Sequence, residues 1–120
     1  REIVRRLRAL HPTISIIGFP KGAGAKLRAY AERTGVDAIG LDETVDPVWA
    51  HAELPEAMPV QGNLDPLALI AGGTALDEAV AHIRRALAGR PHIFNLGHGI
   101  QPDTSIDHVE RLLTLVKAEA

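Results

Sequence analysis

The sequence contains no cysteine. That excludes disulfide bridges, thiolate zinc sites and a cysteine nucleophile, and makes a reducing, cytoplasmic compartment the simplest expectation. Aromatic residues make up only 3%, so a core must be assembled from Ala, Leu, Ile and Val. Such a core suits packed helices and parallel strands better than an aromatic-rich β-sandwich. No apolar run approaches the ~18 residues of a membrane span, and no signal-peptide pattern opens the chain, so no membrane role is expected. Neither sign of charge dominates: 13 Lys+Arg stand against 15 Asp+Glu, for a net charge of -2. The chain therefore has no global attraction to nucleic acid or anionic lipid.

What is present is a chain of 120 residues, enough for a single domain over 1–120 with a core of its own. It begins at Arg1 rather than at a methionine, already inside a helical pattern, which creates the expectation that further residues precede it. Ile3, Val4, Leu7 and Leu10 recur at helical steps, with Arg1, Arg5, Arg6 and Arg8 largely off that stripe as a solvated face. Thr13 to Phe19 reads as a strand buried on both faces. A glycine-containing loop, Pro20 to Gly24, follows, and then a helix that Gly35 closes. Ile39 and Leu41 mark a second strand, and Asp46-Pro47 starts a helix with an N-cap and a first-turn proline. Pro59 to Leu64 is a third strand, weak in propensity, followed by a second Asp-Pro helix start at Asp65-Pro66 and a stop at Gly72-Gly73. Thr74 with Asp77 suggests a capping box for a helix whose Leu76, Val80, Ile83 and Leu87 face inward. His92 to Leu96 is the fourth strand. Thr104 with Asp107 then opens the last helix, with Ile106, Val109, Leu112, Leu113 and Val116 inward.

Strands that alternate with helices imply an α/β fold with a parallel sheet, in which functional residues gather on the loops after the carboxyl ends of the strands. Those loops hold Lys21, Asp42 with Glu43, Gln61 to Asp65, and Asn95 to Gly99.

Gly18 to Lys26 has the glycines and lysines of a phosphate loop, but Ala23 stands where the Walker spacing needs glycine, and Leu27 where the dinucleotide pattern needs one. Nucleotide binding is therefore not expected; anion attraction by Lys21 and an ordinary solvated turn are the two readings left for this loop. Asp42 and Glu43 point to opposite sides of an extended segment and so do not converge on one substrate atom; capping and solvation are their expected roles. The six histidines show no zinc spacing, and no metal site is expected. His98 stands apart, because Leu96-Gly97-His98-Gly99 ends a strand in a pliable backbone that aims one titratable side chain outward. A ligand-binding role and a structural hydrogen bond at a tight turn are both open for it on these residues alone.

Two stretches together carry more information. Gln61-Gly62-Asn63-Leu64-Asp65-Pro66, and about thirty residues later Asn95-Leu96-Gly97-His98-Gly99-Ile100 with Pro102, closely resemble the C-terminal signatures of uroporphyrinogen decarboxylase. Gly40-Leu41-Asp42 with Thr44-Val45, and Phe19-Pro20-Lys21-Gly22, fit the same family, so the likeness runs over nearly the whole chain. The resemblance implies the C-terminal half of a (β/α)8 TIM barrel, with four parallel strands alternating with helices. It also implies an enzyme, usually homodimeric, that removes four acetate carboxyl groups from uroporphyrinogen in haem biosynthesis with no metal or organic cofactor.

By the same resemblance His98 matches the substrate-binding histidine, with Gly62, Asn63, Asp65, Gly97 and Gly99 on supporting rim loops. No catalytic residue is carried over, because the family's arginine motif and its central aspartate have no match here. The expectation is a half barrel that is inert alone and self-associates through its open edges. Cobalamin-linked methyltransferases resemble the same barrel but use cysteine-ligated zinc, which this chain cannot provide. A half-barrel binding or assembly module without chemistry is the other alternative.

Overall fold

Four short strands, β1 (Ile17–Gly18), β2 (Ala38–Gly40), β3 (Val60–Leu64) and β4 (His92–Leu96), lie side by side in chain order. Every pairing is parallel: Ile17 lies opposite Ala38, Ile39 opposite Val60, and Gln61 opposite Ile93. This is the alternating α/β arrangement expected from the sequence, seen in a computed structural model that describes residues 1–118. The helices are α1 (Glu2–Leu10), α2 (Leu27–Thr34), α3 (Pro47–Glu53), α4 (Pro66–Ala71), α5 (Gly73–Ala86) and α6 (Ile106–Lys117), with a single 3-10 turn before α2.

The helix starts follow local chemistry. The Asp46 carboxylate accepts from the Val48 N–H at 2.8 Å, and Asp65 accepts from Leu67 N–H at the same distance, each followed by proline in the first turn. Each cap satisfies a donor that the helix cannot satisfy internally. Gly35 ends α2 in the left-handed conformation, at φ 80°. The expected caps at Thr74 and Thr104 are absent. Gly72 is itself the junction between α4 and α5, so Thr74 falls inside the helix, and Ser105 precedes α6 without a side-chain bond.

One face of the sheet is packed against helices. Ile39, Leu41, Val60 and Leu64 from the strands meet Leu27, Leu69, Leu76, Val80, Ile83 and Leu87 in a single apolar cluster. Arg90 ties this layer together. Its guanidinium donates to the carbonyls of His51, Leu54, Pro55 and Met58 at 2.8 to 3.1 Å, holding the end of α3 and the turn after it. The last helix turns most of the expected stripe inward: Val109, Leu112 and Val116 pack on the cluster, joined by Leu115, while Ile106 and Leu113 are exposed.

The other face of the sheet has no layer over it among the described residues. β1 was expected to be a long strand buried on both sides; it is two residues long. Ile17, Phe19 and Ile93 are 45%, 48% and 49% exposed on this open face. Glycines set the closeness of packing on either side of the sheet. A Cβ on Gly40 would lie 2.8 Å from the Phe19 ring, and one on Gly18 would strike the Tyr30 ring.

Candidate functional site

The site lies at the carboxyl end of the sheet, where β4 runs out into Gly97-His98-Gly99. Gly97 N–H still donates to the Leu64 carbonyl at 2.8 Å, so the ladder with β3 continues one residue past the strand. A Cβ on Gly97 would press into the Glu43 backbone, 2.7 Å from its Cα. The missing side chain thus lets the loop after β4 seat itself on the loop after β2, across the end of β3. His98, which follows, lines a cavity of about 520 Å³ together with Ile17, Phe19, Gln61, Asn95 and Ile100. The cavity is the upper part of the open sheet face: largely apolar walls, two carboxamides and one imidazole.

His98 Nδ1 lies 3.1 Å from the Gly99 carbonyl oxygen, and Nε2 lies 3.9 Å from Glu43 Oε1. Both side chains are about three-quarters shielded, at 25% and 21% exposed. The second carboxylate oxygen of Glu43 is buried with no hydrogen-bond partner among the described residues. Glu43 was expected to be solvated; it is instead drawn under the β4 loop toward the imidazole. Its neighbour turns the other way, as adjacent residues in extended chain do. Asp42 accepts from Gly22 N–H at 2.7 Å, from Thr44 N–H at 2.9 Å and from the Thr44 hydroxyl. Burial opposes the Asp42 charge, but these donors and the Lys21 ammonium outweigh it and hold its carboxyl below the usual range. The glycine loop that resembled an anion cradle therefore already holds an anion, the carboxylate of this chain's own Asp42.

Gly62 and Asn63 belong to β3 itself rather than to a rim loop. Asn63 is buried, and its amide donates to the carbonyls of Asp42 and Val45 at 2.9 and 2.7 Å, so it clamps the loop after β2. Gly62, at φ 132°, allows that loop to lie against it, since a Cβ there would meet the Leu41 carbonyl at 2.6 Å. The Gly62 carbonyl accepts from His92 Nε2 at 2.6 Å, and burial depresses the basicity of His92 more than this bond raises it. Asp65 is exposed and acts as the α4 cap. Of the expected rim residues, then, His98 and Gly97 form the cavity wall with Gly99, while Gly62, Asn63 and Asp65 shape its support. Gln61, Asn95 and Glu43 were expected on this rim by their place after the strands, without a role in the cavity or beside His98; the position missed from the sequence is Phe19 in the cavity wall. What the sequence did not signal is the approach of Glu43 to His98, 55 residues apart.

Compared with known proteins, residues 1–119 match the family model described as uroporphyrinogen decarboxylase (URO-D). The chain belongs to the uroporphyrinogen decarboxylase family. It is 71% identical over 115 residues to the uroporphyrinogen decarboxylase of Sphingopyxis alaskensis, covering 96% of this chain and 34% of that protein. To the enzyme of the same name from Rhizorhabdus wittichii it is 68% identical over 116 residues, 97% of this chain and 34% of that one. A more distant relative from Mesorhizobium japonicum is 54% identical over 119 residues. The chain thus spans about a third of the length of the curated relatives it matches. The family fold is a (β/α)8 TIM barrel, of which four consecutive parallel strands with their helices are seen here. In that setting the helix-covered face is the outside of the barrel and the open face with Ile17, Gln61 and Ile93 is its interior. No cluster of potential metal ligands occurs among the described residues, and none of their helices is long and apolar enough to cross a membrane.

Proposed function

We propose that this chain forms part of the active-site wall of a uroporphyrinogen decarboxylase, a carboxy-lyase that converts uroporphyrinogen to coproporphyrinogen without a cofactor. The observation that carries the proposal is the family match over residues 1–119, which takes in both Gln61 to Pro66 and Asn95 to Pro102. Its geometry is the placement of His98 in the cavity at the carboxyl end of the strands, the end at which barrels of this kind hold their sites.

The chemistry asks little of any cofactor. Protonation of a pyrrole carbon makes the ring an electron sink, and the C–C bond to the acetate carboxyl then breaks with its electrons flowing into the ring. Carbon dioxide leaves, the exocyclic carbon takes up a proton, and the ring loses the one it gained. What the protein must supply is a grip on a polycarboxylate and control of protons. In this reading His98 donates to a substrate carboxylate, Phe19, Ile17 and Ile100 exclude water around the macrocycle, and Gly62, Asn63, Asp65, Gly97 and Gly99 hold the rim in place.

The 120 residues act as one structural unit of that barrel and are inert without the rest. Purified chain is expected to release no carbon dioxide from uroporphyrinogen, and conversion above background would overturn this. In the enzyme that contains this segment, His98→Ala is expected to lower kcat/KM by roughly 10- to 100-fold, the equivalent of one charge-assisted hydrogen bond. An unchanged kcat/KM would remove His98 from the substrate site. The partner expected for the isolated chain is a second copy, since among the described residues β1 and β4 have free edges and the sheet face between them is apolar.

A further inference from the structure

Two carboxamides line the cavity at the end of the strands, Gln61 and Asn95. They differ in that one end of Asn95 is already committed. The Leu96 N–H donates to Asn95 Oδ1 at 2.8 Å. A backbone N–H can only donate, so the atom it meets is the carboxamide oxygen, and the orientation of the whole group follows. What remains for the cavity is the Nδ2 amino group, which has no acceptor among the described residues. Gln61 has no such anchor among the described residues and can turn either end inward.

The anchor has its cause in the sheet. Along a parallel strand, successive residues turn their N–H groups to alternate neighbours. The Pro91 carbonyl accepts from Val60 and the Gly97 N–H donates to Leu64, so the odd-numbered residues of β4 bond to β3. The Leu96 N–H therefore faces the other edge, along which no strand lies among the described residues. Asn95 stands exposed on the open face, as Ile93 does, and bends to satisfy that edge donor from its own chain. Its amino group is thereby held by backbone and needs little reordering when a ligand arrives. None of the residues lining the cavity is acidic, and Glu43, 3.9 Å from His98, is not among them. A fixed donor among apolar walls with no like charge beside it suits an acceptor, the carboxylate arm of an apolar ring system. It does not suit a pyrrole N–H, which needs an acceptor in its turn.

We propose that Asn95 is a substrate-binding residue of this site, its amino group donating to a carboxylate arm of the substrate while its oxygen caps the edge of β4. The proposal rests on the reading of the chain as part of a uroporphyrinogen decarboxylase.

The test uses the whole enzyme that contains this segment, with uroporphyrinogen as substrate. Asn95→Asp keeps the shape of the side chain and the oxygen that accepts from Leu96, but replaces the donors with an anionic oxygen. Asn95→Ala removes cap and donors together. A residue that only caps the edge makes Asn95→Asp match the parent and Asn95→Ala the worse variant, in urea midpoint and in kcat/KM alike. A residue that binds a carboxylate reverses the order in kcat/KM: Asn95→Ala is expected to lose roughly tenfold, and Asn95→Asp roughly tenfold more, through the lost bond and the added repulsion. The urea midpoint of Asn95→Asp is expected to stay close to that of the parent. A kcat/KM for Asn95→Asp equal to or above that of Asn95→Ala overturns the proposal. If Asn95→Asp fails to fold, Asn95→Leu, similar in size and without donors, takes its place; a roughly tenfold loss supports the proposal and a parent-like kcat/KM overturns it. A parent enzyme that releases no carbon dioxide from uroporphyrinogen overturns the reading of function and this proposal with it, a failure recognisable before any substitution is made.

Discussion

Asn63 and Gly97 show how single residues at this rim act on backbone rather than on ligand. Asn63 gives both of its amide protons to the carbonyls that shape the loop after β2. Asn63→Ala leaves those buried carbonyls unpaired and is expected to cost about 1–3 kcal/mol, read as a lower urea midpoint. Asn63→Asp should be worse, since it sets a carboxylate against the same oxygens. Gly97→Ala forces a methyl into the Glu43 backbone, and the overpacking is expected to cost about 1–3 kcal/mol by the same measurement. Wild-type stability in Gly97→Ala would show that the loops can part without loss. Both residues stood out in the sequence for a different reason, as members of the two stretches that resemble the family signatures. Their structural task was not legible because the groups they touch lie 18 to 54 residues away.

At the level of elements, the helix starts were readable because a cap needs only residues adjacent in the chain. Asp46 and Asp65 cap where the Asp-Pro pairs predict, and Asp46→Ala and Asp65→Ala are each expected to cost about 1 kcal/mol in urea unfolding. The end of α3 is different. Its carbonyls are collected by Arg90, 32 to 39 residues further on, a contact no local pattern announces. Arg90→Met orphans these carbonyls together and is expected to cost more than about 3 kcal/mol, with Arg90→Lys restoring only part of the loss because an ammonium lacks the planar fork. The inward stripe of α6 was misjudged at Leu113 for a related reason: hydrophobic periodicity allows either Leu113 or Leu115, and packing against the core cluster selects Leu115.

For the whole molecule, two properties follow from the sheet having one covered face and one open face. On the covered side, burial lowers the basicity of His92 below the ordinary 6.5. The unfolded chain therefore binds a proton at His92 more readily than the folded chain. Stability is full above about pH 6.5 and declines as pH falls toward the folded value. Urea midpoints followed from about pH 8 downward should show this decline, and His92→Gln should flatten it. A second loss belongs to more acidic solution, where Asp42, held below the usual carboxylate range, finally protonates. On the open side, Ile17, Phe19 and Ile93 present apolar surface to water. Concentration-dependent association is expected by light scattering, and Ile93→Lys should weaken it without unfolding the chain; a parent chain monomeric throughout would overturn that expectation.

The sequence by itself determined the alternation of strands and helices, the two Asp-Pro caps, the covered half of the core and, through Gln61 to Pro66 and Asn95 to Pro102, the family. All of these rest on residue order, local hydrogen bonding or hydrophobic period, which act over a few positions. Only the tertiary structure decided that β1 is a two-residue strand exposed on one side, that Asp42 fills the glycine loop, and that Glu43 meets His98. Each depends on which strands are neighbours and how closely the loops at their ends approach. Parallel pairing joins segments dozens of residues apart, and a glycine's missing side chain matters only once the partner backbone is in place.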